Sequence, residues 1–173
     1  MSSGPIAVFD SGLGGLTVVK ALQKHLPNES IIYFGDTARV PYGNKSQALI
    51  KEYSEGITKF LIGKKAKMVI VACNTASALA LFHLKQTFDI PILGVIEPGA
   101  EAARAVTKSK NIGIIGTLAT IRSEAYEKSI QNLDSTIITN AKACPLFVPL
   151  VEEEWLEGDV PKKIAETYLN ELI

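Results

Sequence analysis

Short apolar runs alternate along this chain with longer segments whose apolar residues return at helical spacing. The runs Ile6–Phe9, Ile31–Phe34, Met68–Ala72, Ile92–Val95, Asn111–Ile115 and Thr136–Ala141 predict strands. Between them, Leu16–Leu26, Lys45–Gly63, Thr75–Phe88, Pro98–Val106 and Thr120–Leu133 predict helices. The first helix puts Leu16, Val19, Leu22 and Leu26 on one face, and Pro27-Asn28 ends it. Ser46 is placed to cap the second. Toward the C-terminus, Ala143–Val151 reads as irregular because of Pro145 and Pro149, and Val151–Leu156 as a short helix. Pro161–Ile173 reads as a longer helix, capped by Asp159 with Pro161 in its first turn.

Strands that alternate with helices in this way predict an α/β protein, with parallel sheets and helices on both faces. A boundary near Glu97–Pro98 divides the chain into lobes 1–97 and 98–173 with a cleft between them. The strand ends at Phe9, Ala72 and Ile115 each run into small polar residues: Asp10-Ser11-Gly12, Cys73-Asn74-Thr75 and Gly116-Thr117. Three polar strand ends on one rim point to a small-molecule cleft, because open α/β sheets bind ligands outside the carboxyl ends of their strands. The last helix reads as a crossover, and a crossover leads to another strand. None follows here, so the pattern predicts a fragment; a docked C-terminal helix is the alternative.

Composition narrows the classes. Of 173 residues 47% are apolar, enough for a packed core. Lys plus Arg and Asp plus Glu are 18 each, which argues against a nucleic-acid or anionic-membrane surface. No apolar run approaches the roughly 20 residues of a membrane span. The opening Met1-Ser2-Ser3-Gly4-Pro5 has no signal-peptide pattern, and two cysteines give no disulfide framework, so a reducing cytoplasm is expected. Two histidines and two cysteines without close spacing predict no metal site.

Cys73 is the first candidate for chemistry. It sits where a buried strand gives way to a helix, and a helix N-terminus favours the thiolate. An inert core thiol is the competing reading, since free cysteine is among the most buried residue types. Asn74 and Thr75 can each cap the helix and, with its backbone N–H groups, hold a carboxylate or a phosphate. Asp10-Ser11-Gly12-Leu13-Gly14-Gly15 is a glycine-rich turn with Ser11 as its cap. It matches neither the dinucleotide fingerprint nor a P-loop, and Asp10 could act on a proton or orient an ammonium group. The loop Asp36–Gly43, with Pro41, Tyr42 and Gly43, is long for its place, and such loops are often functional. Within it Arg39 reads as a solvated side chain. Thr117 and Thr120 read as helix-start hydroxyls, and Glu152-Glu153-Glu154 as acids in a helix's first turn. His25 reads as a solvated capping residue, His83 as a helix-surface or half-buried one, Trp155 as core, and Cys144 as a thiol with no helix start behind it.

Taken together, five ordered motifs closely resemble the glutamate racemase family, a branch of the cofactor-independent aspartate/glutamate racemases. They are Ala7-Val8-Phe9-Asp10-Ser11-Gly12-Leu13-Gly14-Gly15-Leu16; Gly35-Asp36 with Pro41-Tyr42-Gly43; Ala72-Cys73-Asn74-Thr75-Ala76; Gly116-Thr117; and Cys144-Pro145 with Val148-Pro149-Leu150-Val151-Glu152. The resemblance spans the whole chain. It implies interconversion of L- and D-glutamate without a cofactor, supplying D-glutamate for peptidoglycan, by two cysteines that act on opposite faces of the substrate. Cys73 matches the first cysteine, Asp10 the carboxylate that assists it, and Glu152 an acid on the second cysteine's side. Asp10, Ser11, Pro41, Tyr42, Gly43, Asn74, Thr75, Thr117 and Thr120 match substrate-binding positions.

The family's second cysteine lies in a Gly-Cys-Thr-His segment that is not among these 173 residues, and Cys144 matches a different position. The expectation is therefore half of a two-base site and little racemisation by this polypeptide. A racemase or isomerase of aspartate or a related acid, and a non-catalytic carboxylate-binding fragment, are the alternatives. Glutamate is the expected small-molecule partner; a homodimer is one candidate assembly.

Overall fold

A computed structural model describes residues 4–172. It divides into two compact units, with the boundary in the chain between Val95 and Ile96.

The first unit contains a four-stranded parallel sheet in the order β2-β1-β3-β4, with β1 Ile6–Asp10, β2 Ile31–Gly35, β3 Met68–Val71 and β4 Ile92–Gly94. The central strand β1 is buried along its whole length, so both its faces need helical cover. Ala7 and Phe9, with Val69 and Val71, pack with Ile50, Ile57 and Leu61 of α2 (Gln47–Gly63). Ala76, Ala80 and Leu84 join that cluster from α3 (Asn74–Leu79), from the bend after it and from α4 (Leu81–Thr87). Ile6, Val8, Ile70 and Ala72 face the other way, onto Val18, Val19 and Leu22 of α1 (Leu16–His25). Alternation along β1 and β3 thus sends each strand's residues into two separate cores.

The second unit pairs β5 (Asn111–Gly116) and β6 (Ile138–Ala143) in parallel. Its core joins Ala100 of α5 (Ile96–Val106) to Ile114, Ile137 and Ile130 of α7 (Ala125–Leu133). Three further helices complete it: α6 (Leu118–Arg122), α8 (Phe147–Glu152) and α9 (Asp159–Leu169). The α/β class and the parallel pairing follow the sequence pattern.

Several local expectations change. The helices expected over 75–88 and 120–133 are each two. Ala80 only bends the first, because the Ala80 N–H still donates to the Ala76 carbonyl and that of Leu84 to the Ala80 carbonyl. The second breaks at Glu124, whose φ of 55° is left-handed, and Ser123 closes both ends. Its hydroxyl donates to the Thr120 carbonyl at 2.6 Å and accepts the Ala125 N–H at 3.2 Å.

The stretch expected to be irregular holds α8, and no helix covers 153–156. Pro149 is the third residue of α8, where its missing N–H has no intrahelical partner to lose. Glu152 therefore closes a helix and Glu153-Glu154 follow it, instead of the three acids opening one. Asp159 is the first helical residue of α9 and not its cap, which is Gly158. Trp155 is 54% exposed and not core, because no packed helix surrounds it.

Candidate active site

The order β2-β1-β3-β4 has its topological switch between β1 and β3. Connections leave these two strands in opposite directions, and the gap beyond their carboxyl ends is where open α/β sheets hold ligands. Asp10-Ser11 follows β1 and Cys73-Asn74 follows β3, so the switch places the two motifs side by side. Gly35-Asp36, at the end of the neighbouring β2, adds a third polar strand end to this rim. The strand end at Ile115 belongs to the separate β5–β6 sheet, so the single rim of three expected ends is corrected on that point.

Asp10 is buried, and its carboxylate holds the turn that follows it. Its Oδ2 accepts the N–H of Gly12 at 3.2 Å and that of Gly15 at 3.0 Å. Ser11 is therefore not the cap; α1 has Gly15 at that place with no side-chain cap. The Tyr33 hydroxyl donates to the Gly12 carbonyl at 2.7 Å and fixes the turn from β2.

Cys73 is 5% exposed and is itself the N-cap of α3, a role expected of Asn74 or Thr75. Its Sγ accepts the Ala76 N–H at 3.5 Å and lies 3.5 Å from the Ser11 Oγ. Asn74 is exposed and Thr75 buried in the first turn of α3. Burial pushes the thiol above the ordinary thiol range, and the Asp10 carboxylate pushes the same way; the Ser11 hydroxyl and the Ala76 N–H oppose them. The expected thiolate-favouring field is outweighed, because one short helix offers the sulfur a single N–H while water is excluded.

That direction predicts a pH effect. A thiol whose folded pKa is raised binds its proton more tightly in the folded state, so its contribution to stability is full below the unfolded value, about 8.5. It is lost as pH rises toward the folded value. Burial and Asp36 raise Tyr42 in the same sense, and burial raises Cys144. The denaturant midpoint is expected to fall progressively from about pH 8.5 upward. Cys73→Ser is expected to remove part of that slope, which unfolding curves at successive pH values will read.

The loop after β2 is tied by a side chain given no role by its sequence. Asp36 is 3% exposed; its Oδ1 accepts from Arg39 Nε at 3.0 Å and its Oδ2 from the Tyr42 hydroxyl. Arg39, read as solvated, lies 4.5 Å over the Tyr53 ring. Tyr42 and Gly43 are buried, in a short 3₁₀ turn that follows the half-buried Pro41. The Tyr42 phenol faces Asp36, which leaves the main chain as the part of this turn that can meet a ligand.

In the second unit, Thr117 caps α6, its Oγ1 accepting the Thr120 N–H at 3.2 Å and lying 3.0 Å from the Thr120 hydroxyl. Glu152 is half-buried at the end of α8. Cys144 is buried with its thiol toward the Lys142 carbonyl at 3.6 Å. Among the described residues no group of three or more His, Cys, Asp and Glu is placed to hold a metal ion, and no helix is long and apolar enough to cross a membrane.

Comparisons with known proteins agree with one another. The Asp/Glu/hydantoin racemase family model matches residues 16–171. A glutamate racemase from Geobacter metallireducens is 54% identical over 167 residues, which are 96% of this chain and 62% of that protein. One from Aquifex aeolicus is 51% identical over 96% of this chain and 65% of its own length. The chain thus spans less than two thirds of these relatives. Among solved structures, a glutamate racemase isoform from Bacillus anthracis superimposes with a TM-score of 0.95 at 40% identity, over 99% of this chain and 65% of that one. The Francisella tularensis glutamate racemase, solved with D-glutamate, gives 0.91 at 42%, over 98% and 64%.

Proposed function

Since the chain belongs to the Asp/Glu/hydantoin racemase family, we propose that its first unit carries the Cys73 side of a site that moves the α-proton of glutamate. The observation that carries this is the Cys73 thiol 3.5 Å from the Ser11 hydroxyl, beside Asp10, at the switch point of the sheet. An α-proton is a very weak acid, and its removal needs a strong base close to it. A buried thiol with a raised pKa gives a scarce thiolate, but a more basic one. As the proton leaves, the electron pair moves onto the α-carboxylate. Donors at Ser11, Asn74 and Thr75 are the groups we assign to that charge. Asp10 is suited to orient the ammonium group, whose positive charge would offset the field by which Asp10 raises the thiol. We assign Thr117, Thr120 and Glu152 to the same function through the resemblance.

Inversion at one carbon needs a proton taken from one face and returned to the other. The complete reaction we propose is interconversion of L- and D-glutamate by two thiols, with D-glutamate destined for peptidoglycan. Both cysteines of the chain are free, which suits the reducing cytoplasm in which such thiols stay usable.

The test is incubation with L- or D-glutamate in deuterated water, with the α-hydrogen followed by proton NMR. Exchange is expected from one enantiomer faster than from the other, and faster from glutamate than from aspartate. Absence of exchange above a protein-free control defeats the proposal, and a preference for aspartate moves it to a related acid.

A further inference from the structure

The most completely enclosed charged group near the Cys73 end of the sheet is Asp36, and it has no place among the residues that the motifs assign to substrate. It is 3% exposed, and each of its carboxylate oxygens has a partner. Its main-chain N–H donates to the Asp10 carbonyl at 2.9 Å, completing the last pair of the β1–β2 register, Asp10 with Gly35. One residue thus joins the strand end that carries Asp10 to the turn that carries Tyr42 and Gly43.

What it holds matters as much. Tyr42 is 1% exposed and belongs to the same packed cluster as Phe9, Cys73 and Ala76. Its ring also meets Tyr53 of α2, with centroids 5.9 Å apart and planes inclined by 48°. Arg39 supplies the opposite charge that a buried carboxylate requires, and its stacking on Tyr53 fixes the guanidinium in turn. Arg39, Asp36, Tyr42 and Tyr53 therefore form a closed circuit of contacts between the 36–44 loop and α2.

We propose that Asp36 is a positioning residue for glutamate. It holds Tyr42 against the Cys73 cluster and so sets the Tyr42–Gly43 main chain at the binding site, without itself touching the reacting atoms. This rests on the glutamate reading above. A positioning group of this kind acts on binding more than on proton transfer, because Cys73, Ser11 and Asp10 stand on strand ends that do not pass through the loop.

The experiment is a double-mutant cycle of Asp36→Asn and Tyr42→Phe on α-hydrogen exchange, at a series of glutamate concentrations. Each single variant is expected to raise the half-saturating concentration about tenfold, the loss of one good polar contact. The maximal rate is expected to change by less than about threefold, and the double variant to be no weaker than the worse single one, since both break the same contact. Unchanged half-saturation, additive losses, or a maximal rate that collapses at unchanged half-saturation overturns the proposal. Amide hydrogen exchange on the same variants separates local from global damage. Protection lost in 36–44 and kept in β1 and β3 supports positioning; loss throughout all three assigns Asp36 to stability alone and overturns it. If the unsubstituted chain exchanges no α-hydrogen, the glutamate reading has failed, whereas exchange that is indifferent to Asp36 defeats only this one.

Discussion

Cys73→Ser is expected to lower the α-hydrogen exchange of glutamate by at least about a hundredfold while leaving the fold in place. Two roles of one sulfur separate in this substitution. As the N-cap of α3, Cys73 accepts the Ala76 N–H at 3.5 Å, and a serine oxygen is a preferred acceptor in that position. The thermal midpoint should therefore hold, or rise slightly. As a base, the hydroxyl is far worse, since it is essentially never ionised near neutral pH. Comparable exchange by the variant would remove Cys73 from the chemistry and leave it the inert core thiol that its burial also allows. Loss of exchange together with loss of the folded state would show only that the cap matters. Calorimetry and NMR exchange on the same preparation distinguish these outcomes. Asp10 makes the sharpest internal comparison: it touches the same turn, yet its carboxylate also holds Gly12 and Gly15, so its removal should damage both fold and exchange.

The positions of Cys73 and Asp10 were legible because each follows an apolar run, Cys73 before a helix and Asp10 before a turn, and strand order alone then brings them together. The state of the thiol was not. A helix start is visible in sequence and favours the thiolate; the exclusion of water from Cys73 and the nearness of Asp10 are tertiary facts, and they reverse the sign. Asp36 was missed for a related reason. An aspartate after a strand reads as a turn residue, and nothing local says that Tyr42, six positions on, will close over it.

The prolines bear out one expectation and overturn two. Pro161 lies in the first turn of its helix, as its sequence predicts, whereas a helix opening at Pro98 and irregular chain around Pro149 are not found: each of the three is the third residue of its helix. The whole first turn lacks N–H acceptors, so the missing donor costs nothing at any of these positions, and a proline fixes a helix start only to within that turn. The displacement at Pro149 also reassigns Glu152. It lies at the negative end of a helix dipole, where a carboxylate is disfavoured, instead of at the positive end.

Gly15→Ala is expected to destabilise the first unit by about 1–3 kcal/mol or more and to abolish exchange with it. The backbone is not the reason: Gly15 has φ −62° and ψ −14°, which alanine adopts freely. The space is. A Cβ there would come within 2.7 Å of the Asp10 Cβ, 3.0 Å of Tyr33 Cε2 and 3.1 Å of the Ala72 Cβ. None of these is the free end of a flexible chain, and Asp10 cannot retreat without lengthening its 3.0 Å bond from the Gly15 N–H. Gly56→Ala is the matched control. Gly56 lies within α2, where an added Cβ meets nothing within 4 Å. Relief of glycine's helix penalty should there raise stability by roughly 0.5–1 kcal/mol. The same added methyl group is thus expected to act with opposite signs at two sites of one unit, as urea unfolding of both variants will read. Equal effects would mean that the packing of Gly15 against Asp10 is not what holds this strand end in shape. A folded Gly15→Ala variant with full exchange would mean that the proposed site tolerates a displaced Asp10.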